Sequence, residues 1–236
     1  MSIELAFVVL MTNAKKGEPI MENIEYSKTA DLAVRSDTAE FEISFYKDKT
    51  FFMVFDNYVN YIKGIEKTIR QSDDYTNYIS HLKELGLTRC QVLGNVDSNM
   101  SKKGHRVSVE MHHGPIFTLF DYCGAIITHM VKHDMPITTP RIAKIVMDEH
   151  WAGNVQTVML SSSVHQALDS DKIFISLKQA HGNLNNFIKK YEDGILENQK
   201  LKINKYIEMS EQYKSTDNGI FELKETMHDW SHRRLL

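Results

Sequence analysis

Residues 107–115 read VSVEMHHGP, and this stretch decides how the middle of the chain folds. Apolar side chains at alternate positions from Val107 to Met111 are typical of a half-buried strand. The alternation runs directly into His112 and His113. The sequence therefore predicts a strand that presents two adjacent histidines at its end.

Downstream of this strand, the pattern predicts a pair of helices and then a second strand. Residues 117–132 repeat apolar side chains with a helical period, and residues 139–151 begin with Thr-Pro, which is typical of a capped helix start. Gly153-Asn154 then turns the chain, and residues 155–160 look extended. The serines that follow are suitable caps for a helix that carries His165.

Histidine is concentrated in this part of the chain. Eight of the eleven histidines fall between residues 105 and 181. A neutral imidazole, with an unperturbed pKa of about 6.5, can take a proton from water near neutral pH, and it can also bind a metal ion. A His-His pair, an asparagine and a later histidine thus supply a base, a residue that orients it and ligands for a phosphate-binding cation. These are the parts of a one-metal nuclease site.

In this order, the residues resemble the HNH nucleases, the ββα-metal or His-Me finger superfamily that phages and mobile elements often encode. The resemblance covers residues 104–172. The first motif of the family is His-His or Asp-His followed by a proline two positions later, and residues 112–115 match it. The segment from His113 to Asn154 is longer than usual, and the cysteine pairs of many relatives are missing.

The resemblance implies a site and an activity. His113 matches the general base, and Asn154 matches the residue that orients it. His112 and His165 match the metal ligands, and Asp169, one helical turn after His165, is a further candidate ligand. The implied cofactor is Mg²⁺ or Mn²⁺, with Zn²⁺ as the alternative. The implied activity is metal-dependent endonucleolytic hydrolysis of DNA.

Basic residues near this site are candidates for nucleic-acid binding, with DNA as the expected partner. Lys102, Lys103 and Arg106 precede the strand that carries the histidine pair. Arg141 and Lys144 lie on the second predicted helix of the central pair. Such a helix pair can read DNA, but it is also a common packing unit, so both interpretations stay open for these two residues.

Two other functions compete for the same residues. In the first, a phage-encoded protein keeps the HNH-like scaffold without catalytic activity and binds nucleic acid or serves as a virion or regulatory protein, which the net charge of −3 and the altered motif spacing favour. In the second, His133-Asp134, with His129 and either His112 or His113 before it, resembles part of the metal site of the HD phosphohydrolases. The proline at position 136 weakens that comparison, because it ends a helix that continues in those enzymes.

The whole sequence predicts an α+β protein in three parts. Residues 1–103 form an N-terminal α/β region of unassigned role, in which residues 40–55 predict a hairpin of two strands and the following apolar spacing predicts two helices. Residues 104–182 form a central ββα-metal-like element with an inserted helical hairpin. Residues 183–236 form a C-terminal helical tail, rich in Lys and Glu, that faces solvent, a protein partner or a second copy of the chain.

Composition indicates a folded protein of a reducing compartment. Hydrophobic residues make up 42% of the chain and charged residues 25%, which is ordinary for a globular protein. Two cysteines exclude a disulfide framework. The apolar run from Leu5 to Met11 is too short to cross a bilayer. We therefore expect a cytoplasmic protein without membrane contact, located in the host cytoplasm if a phage encodes it.

Overall fold

Helices dominate the described part of the chain, and its strands are few and short. The computed structural model describes residue 47 and residues 49–97, 100–102, 105–106, 108–170, 172–213 and 218–232. Within these ranges there are eight α-helices, four strands and three short 3-10 helices. This mixture confirms the predicted α+β class. None of the described helices combines the length and the apolar character that crossing a membrane requires.

Two amphipathic helices precede the strands. They are α1 (Phe55–Arg70) and α2 (Asp73–Glu84). The apolar spacing of α1 places its buried side chains on one face, as the sequence predicts. Ser72 begins α2 by accepting a hydrogen bond from the backbone N–H of Tyr75 at 3.1 Å. Both predicted helices are confirmed.

The predicted hairpin over residues 40–55 is wrong where the structure describes it. Thr50–Met53 forms a 3-10 helix, and Phe55 already belongs to α1. Residues 40–46 lie outside the described part of the chain. Phe52 is buried, and its ring packs edge-on against Tyr61. Phe51 and Phe52, two described aromatic residues of this segment, therefore form an aromatic cluster with Tyr61 at the start of a helix.

The small sheets carry the histidine pair. β1 (Ser101–Lys102) pairs with β2 (His105–Arg106), and β3 (Val109–His113) pairs with β4 (Thr157–Ser161), both antiparallel. His112 lies opposite Val158, and His113 lies opposite Thr157. The strand that ends in the histidine pair and the extended segment near residue 157 are thus confirmed.

Two helices connect β3 to β4, as predicted. They are α3 (Leu119–Lys132) and α4 (Thr139–Trp151). A capping box begins α3, because the side chains of Thr118 and Asp121 each accept a hydrogen bond from the backbone N–H of the other residue. The cap of α4 is Thr138, one residue earlier than predicted, and its hydroxyl accepts from the N–H of Arg141. Most of α3 is buried, which makes it the central helix of the core.

Four helices follow β4: α5 (Ser162–Asp169), α6 (Leu184–Lys190), α7 (Glu197–Gln212) and α8 (Asn218–His232). Val164 of α5 belongs to a second, smaller cluster of buried side chains with Val158 and Leu160, whereas α6, α7 and α8 pack into the main core. Phe187, Ile203 and Leu223 belong to the same cluster of buried side chains as Ile62 and Ile126. The Lys- and Glu-rich composition that suggested a separate tail describes only the exposed faces of these helices. Residues 183–213 and 218–232 therefore share the core of the preceding residues.

Candidate functional site

His113, the predicted base, lies in the core. Its side chain is only 4% exposed, and its ring stacks on Tyr75 with 6.1 Å between centroids. Its Nε2 atom lies 2.9 Å from Nε2 of His150 on α4. Because consecutive residues of a strand face opposite sides, His113 points inward while its neighbour His112 points outward. The ring of His113 therefore has almost no contact with bulk water.

Hydrogen bonds determine the tautomers of this buried pair. Nδ1 of His150 lies 2.7 Å from the carbonyl oxygen of Val146, and a carbonyl can only accept, so His150 donates from Nδ1. The Nε2 atom of a neutral His150 is then an acceptor, and His113 donates to it. Burial lowers the pKa of His150 to about 4 and holds the pKa of His113 well below its ordinary value. Both rings are therefore uncharged at neutral pH.

Asn154 is bonded to Glu149 rather than to His113. Its Nδ2 atom donates to Glu149 Oε2 at 2.7 Å. Glu149 is buried and also accepts hydrogen bonds from Lys190 and from the hydroxyl of Tyr191. Although burial alone raises the pKa of a carboxyl group, these hydrogen bonds lower the pKa of Glu149. Asn154 thus completes a charged network around the buried carboxylate of Glu149, between α4 and the residues at the end of α6.

The structure brings His112 and His165 together. Nδ1 of His112 lies 2.9 Å from Nε2 of His165, and the rings meet edge to face with 4.6 Å between centroids. This contact forms because α5, which carries His165, directly follows the strand that pairs with β3. Oε2 of Glu110 lies 3.7 Å from Nδ1 of His165, on the other side of that ring. The side chain of Asp169 lies outside the described part of the chain, so its role as a ligand stays a prediction.

The predicted phosphate-binding residues are described only in part. Lys144 pairs with Asp148 at 2.8 Å on the exposed face of α4, and Arg141 is half-buried in the first turn of the same helix. Lys102 and Arg106 lie on β1 and β2, where the structure describes the backbone, and Lys103 lies outside the described residues. Their contact with DNA stays a prediction.

A further histidine cluster lies at the end of α3. Nδ1 of His129 lies 2.6 Å from Asp193 Oδ1, and Nε2 of His133 lies 2.7 Å from Asp193 Oδ2. Among the described residues, this is the one group of at least three His, Cys, Asp or Glu side chains whose ligand atoms all lie within 4.8 Å of one another. Partial burial alone would raise the pKa of the Asp193 carboxyl group, but the hydrogen bonds to His129 and His133 lower this pKa.

The sequence pattern indicates only part of this cluster. The four-residue spacing of His129 and His133 on a helix was a usable signal, but Asp193 lies far along the chain and no local pattern points to it. In the HD interpretation, Asp134 would join His133 at a metal. Instead, Asp134 has a positive φ of 53° just beyond α3 and forms an ion pair with Lys49.

A cavity of about 280 Å³ lies beside this cluster. Its walls come from α3, α4 and the end of α6, and they include His129, Glu149 and Lys190. Apolar side chains such as Ile126 and Met130 line the rest. The cavity therefore connects the histidine cluster to the charged network around Glu149.

Comparison with protein families finds a match to the model described as bacteriophage G278-like virion protein, over residues 10–232. Comparison with curated proteins and with solved structures finds no match.

This match overturns the resemblance to the HNH nucleases. It spans nearly the whole chain and names a virion protein, whereas the resemblance depended on a few residues between positions 104 and 172. The prediction of an HNH-type hydrolase, and with it of an endonuclease, is wrong. The motif was matched by the order of residues along the chain. In the folded protein His113 faces the core, and Asn154 is bonded to Glu149.

Proposed function

Because this chain belongs to the family of bacteriophage G278-like virion proteins, we propose that it is a component of the phage particle that acts by assembling with other proteins. The family match over residues 10–232 is the observation that carries this proposal. On this proposal the chain is made in the host cytoplasm and then becomes part of the particle.

The buried polar residues support a structural role. His113 joins β3 to α4 through His150, and Glu149 joins α4 to Lys190 at the end of α6. Each of these contacts uses polar groups to link elements that are distant in sequence. Satisfied buried networks rigidify a core and specify one arrangement of it. A rigid core suits a protein that must present the same surface to each neighbour in a particle.

The outer faces of α7 and α8 are the proposed contact with a neighbouring protein in the particle. The two helices contact each other, and they expose Leu201 to 66% and Phe221 to 63%. Single exposed apolar residues are common on protein surfaces. Here two large ones lie on adjacent helices at the C-terminal end of the described chain, where a partner-facing surface was predicted from sequence.

Composition of purified particles tests the proposal. We expect mass spectrometry to find this chain in density-gradient fractions at a constant ratio to infectious particles. The control is a phage protein that is not a virion component. Measured in the same lysate, it should be absent from the particle fractions. Recovery of the chain only in the soluble fractions would contradict the proposal.

Two charge variants test the proposed contact surface in the same experiment. Leu201→Glu on α7 should lower the amount of chain in particles about tenfold or more, because a charge in an apolar contact costs more than about 1.4 kcal/mol. Asn60→Glu adds the same charge at an exposed position of α1, outside the proposed contact, and should leave incorporation unchanged. Equal incorporation of both variants would exclude this surface as the contact while leaving the virion assignment intact.

A further inference from the structure

Two histidines and a carboxylate converge at the C-terminal end of α3. His129 lies in the last turn of this helix, and His133 directly follows it, so the two rings project from successive turns. Their centroids lie 4.4 Å apart. Each ring directs one nitrogen at a different oxygen of Asp193, and all three side chains are partly exposed.

The turn that carries Asp193 is held against α3 by its own packing. Gly194 lies so close to the carbonyl oxygen of Ala125 that a Cβ atom at this position would overlap with it. Lys132 donates from Nζ to the backbone carbonyl of Asp193. Tyr191, just before the turn, is buried and packs edge-on against the His129 ring, with 5.3 Å between centroids. The carboxylate is therefore placed within reach of both imidazoles by contacts outside the cluster.

We propose that His129, His133 and Asp193 form a zinc-binding site. Imidazole nitrogen and carboxylate oxygen are ordinary zinc ligands at about 2.0–2.2 Å, which puts the ligand atoms of a tetrahedral site about 3.4 Å apart. The three ligand atoms here lie within 4.8 Å of one another. Side-chain shifts of about 1 Å therefore convert the hydrogen-bonded cluster into a coordination sphere. Mg²⁺ is a poor match, because it prefers oxygen ligands.

The electrostatic surroundings favour a cation. The C-terminal end of a helix carries partial negative charge, which adds to that of the carboxylate. Lys132 is the opposing charge, but its Nζ atom binds the backbone carbonyl of Asp193 and not the carboxylate. Three protein ligands leave a fourth position of a tetrahedral ion for water or for a group from a neighbouring molecule.

The half-buried pair of His112 and His165 offers a weaker site. His112 and His165 present two nitrogens to each other, and Glu110 approaches the opposite nitrogen of His165. Among the described side chains, no third His, Cys, Asp or Glu ligand atom joins this pair. It therefore serves as an internal comparison for the site on α3.

Zinc titration of the purified full chain, freed of any histidine tag, tests the proposal. We expect calorimetry at pH 7.5 to show one zinc bound per wild-type chain. Loss of a residue that only supports a metal ligand weakens metal binding roughly 10–100-fold. Asp193 and His133 are the proposed ligands themselves, so Asp193→Asn and His133→Ala should each weaken zinc binding by about 100-fold or more. His165→Ala removes the comparison pair and should bind zinc as the wild type does.

Circular dichroism of each variant separates loss of the site from loss of the fold. His133 is exposed, so His133→Ala keeps the test decisive even if Asp193→Asn fails to fold. A folded wild type that takes up no zinc would overturn the proposal. So would full affinity in a folded His133→Ala protein, or zinc binding that disappears in His165→Ala. These measurements use the isolated chain, and their outcome is independent of the proposed place in the phage particle.

Discussion

His113 and His150 stabilise the fold only while both rings are uncharged. His150 donates to Val146 and accepts from His113, so a second proton on His150 Nε2 would break the hydrogen bond from His113. The pair is enclosed by Tyr75 and Tyr78, whose rings pack against it. A protonated ring here would be a buried charge, which is costly; burial lowers the pKa of His150 more than the charges of Asp74 and Glu149 raise it.

We therefore predict that acid destabilises the protein through this pair. An unfolded histidine has a pKa of about 6.5, and the pKa of folded His150 is lowered to about 4. Below pH 6.5 the unfolded chain binds more protons than the folded one, so stability falls as the pH drops towards 4. For His150 alone the loss between pH 7.5 and pH 5 is about 2 kcal/mol, which urea unfolding at the two pH values measures.

Two variants distinguish this source of pH dependence from others. His150→Gln should be less stable at pH 7.5 but should lose less stability on acidification than the wild type. Burial also lowers the pKa of His113 and of His181, so some acid loss remains in this variant. His165→Ala, at a partly exposed histidine, should keep the wild-type difference. An acid loss in His150→Gln as large as that of the wild type would contradict the prediction.

At the scale of elements, the packing of the Asp193 turn against α3 depends on a glycine. Gly194→Ala places a Cβ against the backbone carbonyl of Ala125, and a backbone atom cannot rotate away as a side chain can. We expect this substitution to lower the free energy of unfolding by about 1–3 kcal/mol, as other overpacked positions do. Thermal or urea unfolding of the purified variant measures the change.

Gly64→Ala is the matched control for this substitution. Gly64 lies on an exposed face of α1, and no other atom lies within 4 Å of its added Cβ. Alanine is a better helix former than glycine, so this variant should be more stable than the wild type by roughly 0.5–1 kcal/mol. If Gly194→Ala also raised the free energy of unfolding, close packing at residue 194 would not determine the effect of this substitution.

At the scale of the whole molecule, α6 to α8 contribute to one core with α1 and α3. Phe187 on α6 is fully buried, and its ring packs against Tyr122 on α3 with 4.7 Å between centroids. Phe187→Ala should therefore lower the free energy of unfolding by about 3–5 kcal/mol, the usual cost of a large cavity. Urea unfolding that monitors the whole chain should show one transition at lower denaturant.

Phe221→Ala makes the same chemical change on α8 at a side chain that is 63% exposed. It should change the free energy of unfolding by no more than about 0.5 kcal/mol. A small effect of Phe187→Ala, similar to that of Phe221→Ala, would mean that these helices contribute little to the stability of the core.

The sequence by itself determined the main helices and the two strands of the larger sheet. The sequence was sufficient to predict helix α1, the helix pair between β3 and β4, and β3 itself. The helical spacing of apolar residues, the capping residues and the alternation of apolar and polar residues are all properties of consecutive residues. The hairpin at residues 40–55 was predicted wrongly over its described part, because an aromatic-rich run suits the start of a packed helix as well as a strand. Local patterns also missed that α6, α7 and α8 pack into the core, since composition reflects their exposed faces.

Only the tertiary structure decided which side chains meet. Strand alternation shows that His112 and His113 face opposite sides, but the packing of α2 and α4 decides that His113 is the buried one. Glu149 binds Lys190, and Asp193 binds two histidines, across stretches of chain that no local pattern spans. A motif read along the sequence records the order of residues. The chemistry of a site depends on distances and burial, which are set when distant elements pack together.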